Sequence, residues 1–233
     1  MKAGARVDFL MYFRAVPMLL RKPSILAMPV LAGVIAWGIA EVTPLLTDAV
    51  GGAGSGIFSS IAQIIYLYAF GIAVIQASNA WRGRRATFDE AWDEGKRKSG
   101  GILMAALGFL FIIWVAAYIG SILGSIAGIF LELVASFFLI YTIPAAAIGG
   151  LPGQLALSGS INAVKSNVAG AAVLAIVFVA VWVVFPNYIA IMPFGGNFAV
   201  NNLIVAGIHA LLLGYLAFPF AKQYDDVAFS RFW

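Results

Sequence analysis

The sequence contains no cysteine and a single histidine among 233 residues. The first absence excludes disulfides, thiolate nucleophiles, zinc–thiolate sites and iron–sulfur ligation. The second leaves His209 as the only imidazole, so a Ser-His-Asp triad has one possible base and a two-histidine haem has none. Charge is scarce too: 10% of residues are Asp, Glu, Lys or Arg, against about 25% in soluble domains. Apolar side chains take the vacated share, 63% of the chain. So much apolar surface cannot be hidden in one soluble core, which excludes a cytosolic enzyme, a secreted disulfide scaffold and a disordered tail. The chain reads as an all-α integral membrane protein. A Gly-rich phosphate loop, an HExxH helix and a carboxylate pair are also missing, so the chain is expected not to be an enzyme and to carry no metal.

A membrane-crossing helix needs about 20 mostly apolar residues. Six stretches approach or exceed that length: Ser24 to Leu46, Gly56 to Ala80, Gly101 to Ile119, Ile122 to Ile148, Val168 to Phe185 and Val200 to Phe220. All fourteen basic residues fall in alternate segments. Lys2, Arg6, Arg14, Arg21 and Lys22 precede the first span; Arg82, Arg84, Arg85, Lys96, Arg97 and Lys98 join the second to the third; Lys165 lies before the fifth, and Lys222 and Arg231 follow the sixth. By the positive-inside rule both termini are expected on the cytoplasmic side of a bacterial inner membrane. Basic residues with that duty explain the net charge of +4 without a nucleic-acid partner. The first apolar run follows Arg21-Lys22 and has no small-x-small cleavage site, so it is expected to be retained as a span. Gly120, Ser121, Gly124 and Ser125 supply the only break between the third and fourth spans. One continuous helix there would turn Lys222 and Arg231 outward against the charge rule, so a tight hairpin is predicted.

Each basic segment that leads into an odd-numbered span also has helical apolar spacing, which predicts interfacial helices over about 7–20, 87–98 and 153–166. In the first, Phe9, Tyr12, Phe13, Val16, Leu19 and Leu20 form the stripe. In the second, Thr87 and Glu90 make a capping box, with Phe88, Ala91 and Trp92 on the apolar face. The third begins near Pro152, placed for a first helical turn, and carries Leu155, Ser158, Ile161 and Val164 on one face. The predicted architecture is therefore one domain over residues 1–233, built as three transmembrane hairpins, each preceded by a cytoplasmic amphipathic helix.

Arg21-Lys22-Pro23 at the first span, ATFDEAWDEGKRKSGGIL entering the third, Pro144 closing the fourth and QLALSGSINAVKSN before the fifth resemble a broad bacterial family of uncharacterised six-helix proteins. That family is similar to the membrane domain joined to some glycerophosphodiester phosphodiesterases. The resemblance covers residues 7 to 185 and implies a fold but no activity, because the metal-binding acidic and histidine residues of the phosphodiesterase have no counterpart here.

Ionisable groups inside spans are functional candidates by default. His209 lies near mid-span and has two readings: an axial ligand to a chlorin, with Ala206 and Gly207 leaving room for the ring plane, or a neutral imidazole bonded to a neighbouring helix. Glu132 is the one acid well inside a span, about two turns from its outer end. With Asn197, Asn201, Asn202 and His209 it would line a carrier or lipid cavity if these residues face one another across the fifth and sixth spans. Trp81, Arg82, Arg84, Arg85 and Trp92 suit an anionic lipid surface, although Asp89, Glu90, Asp93 and Glu94 offset the attraction. The uncharged loop from Phe185 to Phe198 and the aromatic tail AKQYDDVAFSRFW suit the interface or a partner. The first functional expectation is a non-catalytic accessory or scaffolding subunit of a larger membrane complex, with lipids and other membrane subunits as partners. The alternatives are a carrier or lipid-handling protein and a pigment-binding subunit using His209; no other cofactor is expected.

Overall fold

The computed structural model describes residues 7–50, 53–180 and 198–229, and every regular element among them is helical. In chain order these are α1 (Leu10–Arg21), a 3-10 turn (Pro23–Leu26), α2 (Ala27–Val50), α3 (Ala53–Trp81), α4 (Phe88–Arg97), α5 (Ser99–Leu123), α6 (Ser125–Leu139), α7 (Thr142–Ala147), α8 (Gln154–Ser166), α9 (Val168–Val179) and α10 (Phe198–Phe229). Five stretches are long and apolar enough to cross a membrane: Pro23–Leu45, Gly56–Trp81, Ser99–Leu123, Ile126–Ala147 and Val200–Phe229. A sixth exists if α8 and α9, bent by 119° at their junction, count as one broken span. The protein is an all-helical, multi-pass membrane protein. The described part of the predicted fifth span, α9, has 12 residues, and residues 181–185 lie outside the described part.

Burial follows what a bilayer demands. Large apolar residues such as Leu123, Ile126, Ile129 and Phe130 are exposed, as expected where the solvent is hydrocarbon. Helices gain no hydrophobic drive from meeting in lipid, so close contact has to come from small residues and shape. Ala69, Ala73 and Ala77 recur one turn apart on α3, all fully buried, and α10 presents Ala210, Ala217 and Ala221 in the same state. These two helices pack together with α2. An aromatic chain fills the centre: Phe70 of α3 meets Phe220 of α10 edge-on at 5.2 Å, Phe220 meets Phe178 of α9 at 6.1 Å, and Phe178 meets Phe109 of α5 at 6.1 Å.

Between α5 and α6 the chain breaks at Gly124, whose φ of +111° is a conformation that side-chain-bearing residues avoid. Gly120 then lies against the backbone of Gly128, so close that a methyl group at Gly120 would overlap Gly128 Cα. The glycine spacing is thus used within the chain. The predicted fourth span is also not one regular helix. Pro144 has no N–H to give to Ile140, and the ladder opens at Ile140–Tyr141 between α6 and α7. Ser160 of α8, fully buried, closes the gap: its hydroxyl accepts from the Tyr141 N–H at 3.0 Å and donates to the Phe138 carbonyl at 2.9 Å.

Helices occur where amphipathic segments were predicted. In α1 the apolar stripe points outward, with Phe13 74% exposed, while Met11 and Ala15 are buried and the Tyr215 hydroxyl donates to the Tyr12 carbonyl at 2.9 Å. In α4 the Glu90 N–H donates to Thr87 Oγ1 at 3.4 Å, one half of the predicted capping box. Pro152 does not occupy a first turn. The chain turns at Gly153, whose φ of +46° favours glycine, and the first helical residue is Gln154. The tail also differs from expectation: the sixth helix runs on to Phe229, and Gln223 and Tyr224 are buried. Packing against α7 and α8 gives those residues a helical environment that their hydropathy does not announce.

Candidate functional site

The end of the bundle that carries the basic loop is knitted together by polar side chains. Gln76, 1% exposed near the end of α3, donates its amide N–H groups to Ser24 Oγ at 2.7 Å and to the Ala86 carbonyl at 2.8 Å. This fixes both the entry to the first span and the loop before α4. Trp81 Nε1 donates to the Phe218 carbonyl at 2.9 Å, and its ring meets Phe218 edge-on. Arg82 grips Asp225 with two bonds, Nε to Oδ2 at 3.1 Å and Nη2 to Oδ1 at 2.7 Å, while Ser78 Oγ donates to the same Oδ2 at 3.0 Å. The guanidinium also sits 5.3 Å from the Phe229 ring centroid. Lys98 holds Glu94 at 2.6 Å and the Ala147 carbonyl at 2.7 Å, which ties α4 to the end of α7. Trp81 and Arg82 thus both have partners within the chain, while Arg82 keeps an exposed side chain.

On this braced base lies an exposed depression of about 460 Å³, lined by Asn79, Arg84, Arg85, Glu90, Asp93 and Arg97 among others. Arg84 and Arg85 are exposed. Trp92 stacks on Phe88 at 6.2 Å, with the Lys96 ammonium 5.8 Å from its ring. Lys96 also bonds Asp93 at 2.8 Å, and that hydrogen bond and charge hold the Asp93 carboxyl below its ordinary pKa. The rim thus carries charge of both signs.

The intramembrane polar residues do not form one group. Glu132 is half-buried on α6 and lines a cavity of about 330 Å³ with Gln63 of α3 and the buried Ser136. Asn202 donates to Glu41 Oε1 at 3.3 Å, a partner on α2 that the sequence reading missed. Asn201 is half-buried on α10, and Asn197 lies outside the described residues. His209 is buried, with its ring centroid 5.0 Å from that of Tyr66 and the planes tilted by 44°. The room expected beside it goes elsewhere: Gly33 of α2 abuts Ala206, and Gly207 faces outward. Glu132 does not join the polar residues of α10: it lines its cavity with Gln63 and Ser136, whereas Asn202 bonds Glu41 of α2 and His209 lies against Tyr66 of α3. Among the described residues no group of His, Asp and Glu could hold a metal ion.

No protein-family model, no curated protein and no solved structure matches this chain. Two regions among the described residues gather polar and charged groups, the rim and the cavity at Glu132.

Proposed function

We propose that the protein is a non-catalytic accessory or scaffolding subunit of a larger membrane assembly and works by contact at its basic end. The observation that carries this reading is the mixed-charge depression at Arg84, Arg85, Glu90, Asp93 and Arg97, set on a base braced by the Arg82–Asp225 pair and by Gln76. Acidic residues in such a rim weaken attraction to an anionic lipid surface, whereas alternating signs select a protein partner of complementary pattern and suppress others. The bracing fixes the backbone beneath the rim, so docking has the rim side chains but not the loop to order.

The arrangement that goes with this role has three hairpins in a bacterial inner membrane, α2 with α3, α5 with α6 and α9 with α10. Helices α1, α4 and α8 lie along the cytoplasmic face, where both termini also sit. The charge distribution supports it. So does the outward apolar stripe of α1, suited to lying in the headgroup region, and so does the glycine turn at Gly124.

Gentle detergent extraction of the native protein, with particle size, subunit content and absorption spectrum recorded together, tests the reading. A stoichiometric larger particle is expected, colourless, and dispersed when Arg84 and Arg85 are both replaced by Glu. A monodisperse particle holding only this chain would overturn it. An absorption band lost in His209→Ala would replace it with the pigment-binding reading.

A further inference from the structure

The half of the bundle away from the basic loop is built differently. There the cavity between α3, α5, α6 and α9 has walls of Phe109, Trp114 and Phe178, with Gln63, Glu132 and Ser136 as its polar groups. Its volume of about 330 Å³ lies within the range of small-ligand sites, about 300–1,000 Å³. Through Gln63 and Trp114 it adjoins an open groove of about 660 Å³ along Ile57, Ser59 and Ser60 of α3. A molecule in the cavity would thus have a path sideways along the outside of α3, as a lipid needs and a solute crossing the membrane does not.

We infer that this cavity binds the ammonium headgroup of a membrane lipid of the phosphatidylethanolamine class. The argument is charge complementarity. The cavity lining includes a carboxylic acid and no Lys, Arg or His. An ionised carboxylate in apolar surroundings is costly unless a counter-charge reaches it, and nothing in the lining supplies one. A primary ammonium meets Glu132 with a charge-assisted hydrogen bond and can also rest on the face of Trp114, an indole being the best aromatic partner for a cation. The Gln63 amide and the Ser136 hydroxyl are placed to take up the remaining donors and acceptors of the headgroup. The anionic headgroup of phosphatidylglycerol has no such partner and is repelled by the same carboxylate.

The test uses the full chain, delipidated in detergent and offered equal amounts of phosphatidylethanolamine and phosphatidylglycerol with identical acyl chains, with bound lipid read by native mass spectrometry. Phosphatidylethanolamine is expected to be retained in preference. Glu132→Gln should reduce that preference about tenfold, the size expected for one charged hydrogen bond. Glu132→Asp should keep most of the preference, and Trp114→Leu should weaken it without touching the carboxylate. Equal retention of the two lipids, or a preference that survives Glu132→Gln, would overturn the inference. Retention of free ethanolamine as well as the lipid would overturn the lipid assignment in favour of a soluble amine. Should Glu132→Gln fail to fold, the Trp114→Leu result decides: an unchanged preference there overturns the inference.

Discussion

Gln76 shows how much one polar side chain does in a membrane protein. Its amide bridges a serine at the start of the first span and a carbonyl beyond the end of the second, positions far apart in sequence. Gln76 is 1% exposed and Ala86 is buried, so Gln76→Leu leaves the Ala86 carbonyl unpaired, while the exposed Ser24 hydroxyl turns to other partners. The expected loss is about 1–3 kcal/mol of stability, read from denaturant unfolding in detergent. A midpoint within error of the parent protein would mean that water or a lipid headgroup takes the place of the amide. Nothing in the sequence marks Gln76, because a lone glutamine in an apolar helix has no periodicity to betray its partner. Asp225 is hidden for a different reason: it falls in the aromatic tail that suits the interface or a partner, and only the packing of α10 beside α3 brings it to Arg82.

Among the elements, α5 and α6 depend most on a single spacing. Gly120 and Gly128 let the two backbones touch, and Gly124 makes the break between them. Gly120→Val places a side chain where Gly128 already stands and is expected to cost about 1–3 kcal/mol or more from overpacking, seen as a lowered melting temperature. Gly207→Ala is the control, since open space surrounds that position. It should be neutral or gain about 0.5–1 kcal/mol from the better helix former. Equal effects of the two substitutions would show that helix propensity, and not close approach, governs α5 and α6. At this scale the sequence was read well for α4, where Thr87 and Glu90 set the start and Lys96 and Arg97 suit the end of the helix dipole. The fourth span is legible as a span, Ile126–Ala147, but its internal break is not: Pro144 opens the ladder and a serine on another helix closes it.

At the scale of the whole molecule the two ends of the bundle differ. One end is locked by Gln76, Trp81, Arg82 and Lys98, and the other carries the cavity and groove around Glu132. The absence of cysteine makes the orientation easy to measure, because single introduced thiols have no background. Gly100→Cys, exposed at the start of α5, is expected to react with a membrane-impermeant maleimide from the cytoplasmic side, and Ser121→Cys, near the α5–α6 break, from the opposite side. Labelling of both from one side would refute the crossing of α5 and the inward placement of the basic loop. The sequence alone determined that the protein is helical and lives in a membrane, since apolar length and the alternation of basic loops are properties of local composition. The pairing of Arg82 with Asp225, of Asn202 with Glu41, and of Glu132 with Gln63 and Trp114 in one cavity was decided only by the tertiary structure. The reason is physical: in membrane-crossing helices that are apolar on every face, periodicity no longer says which face meets which neighbour, and small residues and single polar contacts make that choice.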